Sequence, residues 1–110
     1  MKLEERAALV WPVLCYAAVH RQTMNYGVAG NLSGMAPSGM GTVLDYVFHY
    51  CKAKKLPYLN VIVVSKETGK PGEGYPGISD LHKETERVFA FDWLSTGPPS
   101  AADLLATHPR

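Results

Sequence analysis

The stretch from Met40 to Lys55, MGTVLDYVFHYCKAKK, decides how the chain is read. Met40, Val43, Leu44, Val47, Phe48 and Cys51 recur at three- and four-residue intervals, which places them on one face of a helix. The opposite face carries Thr42, Asp45, Tyr46, His49 and Lys52. Lys52, Lys54 and Lys55 close it, where positive charge complements the carbonyl end of a helix. Upstream, Ala36-Pro37-Ser38 offers a turn and a cap, and Gly34 ends a shorter helix over Tyr26 to Leu32 that opens at an Asn25 cap. Further upstream, Ala7, Val10, Trp11, Leu14, Cys15 and Ala18 form a second apolar stripe, interrupted by Pro12, which lacks an amide donor.

Downstream, Leu56-Pro57 breaks the long helix and Leu59 to Val64 reads as a strand. The turn-rich residues after Val64 suggest a β-hairpin with its tip near Thr68-Gly69. Ser79 or Asp80 caps a helix bearing Leu81, Thr85, Val88 and Phe89. Phe89, Phe91 and Trp93 also fit strand alternation, so that segment reads either as core or as an interface. Pro98-Pro99 is a stiff connector, and Ser100 with Asp103 forms a capping box for a short last helix.

At 110 residues the chain is expected to be one domain, 1–110, with a helical N-terminus at 3–21, a core at 23–77 and C-terminal helices at 79–107. The charged share of 19% is too low for a disordered chain. Two cysteines, Cys15 and Cys51, fall on apolar stripes and make no disulfide framework, so buried reduced thiols are expected. The apolar run Ala7 to Val19 is shorter than a bilayer span, and Glu4 and Glu5 offset Lys2 and Arg6, unlike a secretory leader. A cytoplasmic protein without a membrane partner is the expectation.

The net charge of +1 conceals a division. Residues 21–70 hold Arg21, Lys52, Lys54, Lys55, Lys66 and Lys70 against Asp45 and Glu67, a balance of +4. Residues 71–110 hold Lys83, Arg87 and Arg110 against Glu73, Asp80, Glu84, Glu86, Asp92 and Asp103, a balance of −3. A basic middle is what a nucleic-acid contact needs.

The order of elements is that of a small, mainly helical α+β domain with a helix-turn-helix followed by a β-hairpin, a winged-helix-like layout. Asn25-Tyr26-Gly27 to Gly34, the long helix and Leu56-Pro57-Tyr58-Leu59-Asn60-Val61-Ile62-Val63-Val64 resemble the DNA-binding domain of O6-alkylguanine-DNA alkyltransferases and alkyltransferase-like proteins. The resemblance covers about residues 23–77. It implies that Tyr26 crowds a phosphate and that the long helix approaches the duplex. The reactive Pro-Cys-His-Arg-Val of that family falls on Pro57-Tyr58-Leu59-Asn60-Val61, so the nucleophilic cysteine is replaced by Tyr58 and the activating histidine by Leu59. The recognition helix also lacks the family's arginine, having Ser38-Gly39-Met40-Gly41-Thr42 there. Alkyl transfer is therefore not expected. The whole chain is also similar to short bacterial proteins, a likeness that implies no activity.

The leading expectation is a non-catalytic module whose possible partner is DNA, contacted by Tyr26, Ser38, Thr42, Tyr46, His49, Lys52, Tyr58, Lys66 and Lys70. No cofactor, metal or catalytic residue is expected. His82 and Glu86 share one helix face but have no third ligand, and Lys70-Pro71-Gly72-Glu73-Gly74 lacks the ending of a phosphate loop. The alternative is a protein-interaction or homo-oligomerising module using the C-terminal aromatics. A third reading places a ligand or a reaction among Tyr26, Asp45, Tyr46 and His49, since Asp45 can orient His49 one helical turn away.

Overall fold

The computed structural model describes residues 1–66 and 80–109. Helix α1 (Leu3–Val19) runs through Pro12 without ending. Its start is fixed by the Glu5 carboxylate, which accepts from the Lys2 amide at 2.8 Å. Strand β1 (Met24–Asn25) leads directly into α2 (Tyr26–Ser33). The Asn25 side chain caps α2 by accepting from the Val28 amide at 2.9 Å. Gly34 closes it at φ 71, a left-handed conformation that glycine adopts without strain. A 3-10 turn at Pro37–Gly39 precedes α3 (Met40–Lys54), whose apolar stripe is buried as its spacing requires. Helices α4 (Leu81–Ala90) and α5 (Ala101–Thr107) follow, capped by Asp80 and by the reciprocal Ser100–Asp103 pair.

The arrangement is mainly helical with one two-stranded sheet, an α+β composition. Strand β2 is only Val63–Val64, and it pairs in parallel with β1, Met24 opposite Val63 and Asn25 opposite Val64. This corrects the expectation of a strand from Leu59. Residues Leu59–Ile62 form a 3-10 turn instead, and all four are buried. Apart from buried Asn60 the run is apolar and has no polar face to give to solvent, so it is used here as a plug between helices. The expected hairpin tip at Thr68-Gly69, the return strand and Lys70 lie outside the described residues.

Helix α1 is the central post and touches α2, α3, α4 and α5. Trp11 is 2% exposed and meets Tyr50 and Trp93 edge-on, with centroids 5.4 and 5.9 Å away. Trp93 also donates from Nε1 to the Val88 carbonyl at 2.8 Å. Phe89 and Phe91 are half-buried beside it, so the C-terminal aromatics pack inward as core. Polar ties close the remaining seams. Arg6 donates to the Ser33 and Gly34 carbonyls at 2.8 and 2.6 Å, joining α1 to the end of α2. Buried Glu84 accepts from the Tyr58 amide at 2.8 Å and from Arg87 at 2.9 Å, joining α4 to the break after Pro57. Among the described residues no helix is long and apolar enough to cross a membrane.

Cys15 and Cys51 are free and buried. Burial pushes both thiols from an ordinary 9.0 up to about 12. Both are therefore protonated at neutral pH and poor nucleophiles. The raised values also fix how stability responds to alkali. The unfolded chain gives up these protons first, so the stabilisation is intact below pH 9.0 and is lost as pH rises towards about 12. The expected slope is about 1.4 kcal/mol per pH unit for each thiol. Urea midpoints measured across that window should fall more shallowly in Cys51→Ala; an unchanged slope would contradict this assignment.

Candidate functional site

Two polar places stand out, and they use different parts of the chain. The first is a cleft of about 540 Å³ outside the carboxyl ends of β1 and β2. Asn25, Tyr26, Gly27 and Val28 form one wall, with Asn31, Pro37, Ser65 and Lys66 around the rest. Its position follows from local structure: Asn25 ends β1 and caps α2 at once, so the helix must begin at the strand's end. Parallel strands followed by a helix leave a crevice at this edge, where ligands of open α/β sheets bind. The amide end of α2 carries partial positive charge, and Lys66 adds a full one. No carboxylate, imidazole or thiol lines the cleft among the described residues. Its described lining is thus positive at one side and polar or apolar elsewhere.

The second place is the outer face of α3. Asp45 lies between two imidazoles, with His108 Nε2 at 2.7 Å and His49 Nε2 at 3.4 Å. The His108 ring stacks on Tyr46, centroids 3.9 Å apart and planes 13° from parallel. The Asp45–His49 pairing was legible from its spacing, whereas His108 was missed. The available signal was the Ser100–Asp103 capping box, which fixes where α5 starts and so where its last turn delivers His108. That box also holds the Asp103 carboxyl below the usual carboxylate range, through the Ser100 amide first and its hydroxyl second. The cluster pins the end of α5 across α3. Among the described residues no three His, Cys, Asp or Glu side chains are grouped to hold a metal ion.

The residues expected to meet nucleic acid are thus divided. Tyr26 and Lys66 share the cleft. Ser38 is exposed in the turn beside Pro37, and exposed Thr42 donates to the Gly39 carbonyl at 2.6 Å. Tyr46 and His49 belong to the imidazole cluster instead and are half-buried by it. Lys52 is exposed near the far end of α3. Tyr58 stacks on buried Phe48 at 4.9 Å, a packing role. The chain matches no protein-family model, no curated protein and no solved structure.

Proposed function

We propose that the chain is a non-catalytic nucleic-acid-binding module whose cleft receives the phosphate backbone. The observation that carries this reading is the meeting of Tyr26 and Lys66, far apart in sequence, at the positive end of α2. A phosphate there accepts from Lys66 in the field of the α2 amide end, whose Val28 amide the Asn25 side chain already takes, while exposed Ser38 extends the contact towards the start of α3. The order α2, turn, α3 and then β2 is compatible with a winged-helix-like layout, whose expected hairpin after Lys66 lies outside the described residues. The unpaired thiols suit a reducing compartment such as the cytoplasm.

Fluorescence anisotropy with short duplex and single-stranded DNA, titrated in salt, tests this. Binding at low salt should weaken steeply as salt rises. Lys66→Glu should lower affinity by about tenfold, roughly 1.4 kcal/mol, and flatten the salt dependence by about one released ion. Absence of measurable binding at low salt would sink the proposal.

A further inference from the structure

The cleft at the end of β1 and β2 is much larger than one phosphate group. At about 540 Å³ it falls within the roughly 300–1,000 Å³ of sites that enclose a drug-sized ligand, so a phosphate alone leaves most of it unfilled. Exposed Lys66 is the one positive side chain among its described residues. Val28, 44% exposed, and exposed Pro37 give it apolar surface, and half-buried Tyr26 contributes an aromatic side chain. Two carboxamides line it. That of Asn25 is taken up by the Val28 amide, whereas that of exposed Asn31 has no hydrogen-bond partner among the described residues. A carboxamide offers a donor and an acceptor side by side.

We propose that this cleft takes one unpaired nucleotide of a single-stranded nucleic acid. Its phosphodiester lies at Lys66, its base against Tyr26 and Pro37, and the edge of the base on the Asn31 carboxamide. The proposal rests on the nucleic-acid reading above and narrows it to single strands. Shape selects the strand over the duplex. A duplex keeps its bases paired and stacked inside a convex cylinder, so only a splayed-out base can fill a concave cleft. Lining chemistry selects a base over a bare phosphate, because flat apolar faces stack on aromatic and apolar walls while polar edges need hydrogen-bonding partners. Charge selects a chain-internal nucleotide over a free one. One lysine balances the single charge of a phosphodiester and leaves most of the charge of a nucleoside triphosphate unmatched. Beyond Pro37, exposed Ser38 continues the polar surface on which the strand leaves the cleft.

Fluorescence anisotropy of the full chain at low salt tests this with probes of equal length: oligothymidylate, the same strand with abasic residues in place of its bases, and the matching duplex. Oligothymidylate should bind about tenfold more tightly than either of the others, the share of one stacked base. Tyr26→Leu should lower oligothymidylate affinity by about tenfold, to the level of the abasic strand. Asn31→Leu should weaken it as well, and because Asn31 is exposed it serves where Tyr26→Leu disturbs the start of α2 by circular dichroism. An oligouridylate probe assigns the strand to RNA where it binds more tightly than oligothymidylate, and to DNA where it binds less. Equal binding of oligothymidylate and the abasic strand, tighter binding of the duplex, or displacement by micromolar ATP would overturn the proposal and leave the phosphate contact standing. No binding of any probe would remove the nucleic-acid reading with it.

Discussion

Trp11→Ala is expected to remove a large share of the stability of this fold. The indole is 2% exposed at the point where α1, α3 and the turn after α4 meet, with Tyr50 and Trp93 edge-on against it. Truncating a buried tryptophan leaves a cavity that rigid neighbours cannot fill, at a cost of about 3–5 kcal/mol. The lost edge-to-face pairs add to the upper part of that range. A domain of this size holds only about 5–15 kcal/mol in all. The variant should therefore unfold at much lower urea. Trp93 fluorescence, then the only tryptophan signal, would follow the transition. A loss below about 1 kcal/mol would mean that the core does not hinge on this residue.

Gly30→Ala should produce the next largest effect, by a different route. Gly30 is buried in α2, and a Cβ there would overlap the carbonyl oxygen of Met35. That oxygen is backbone, so no side chain can swing away. The Met35 amide donates back to the Gly30 carbonyl at 2.8 Å, which locks the two segments in close approach. Forcing them apart should cost about 1–3 kcal/mol, as overpacking does. It should also displace the turn bearing Pro37, one wall of the cleft, so DNA affinity should fall together with stability. Gly41→Ala is the matched control. A Cβ at Gly41 meets nothing within 4 Å, and alanine there should stabilise α3 by up to about 1 kcal/mol. Equal effects at the two glycines would exclude the steric account.

The contrast between these sites mirrors what could be read in advance. Patterns confined to one element were legible: the α3 stripe, the Asn25 cap with the Gly34 stop, and the Ser100–Asp103 box. Each is set by residues within a turn or two of one another, where backbone geometry leaves few choices. Contacts between distant segments were not. Nothing in Leu59 to Val64 states that only its last two residues pair, or that they pair with Met24 and Asn25. Strand propensity pointed to a hairpin, and burial on every side selected the 3-10 plug. Arg6 on the end of α2, Glu84 on the Tyr58 amide and His108 on Asp45 are likewise products of tertiary placement. Of the residues lining the candidate cleft only Tyr26 and Lys66 were visible as contacts, and their meeting needed the parallel pairing.

That pairing also sets how the molecule fluctuates. The ladder is two residues long on each side; β1 runs into α2, and β2 follows the buried 3-10 turn at Leu59–Ile62. So short a ladder is held by few backbone hydrogen bonds, and its anchor is Val63, which is fully buried in the helical core, whereas Val64 and Asn25 are half-buried. Fraying from its outer end parts Asn25 from Val64 and moves Lys66 away from the amide end of α2, while buried Val63 holds the inner end against Met24. The shape of the cleft thus hangs on a two-residue ladder, one end of which a buried valine fixes while the other meets solvent; any ligand that needs both walls binds only while that outer end is closed.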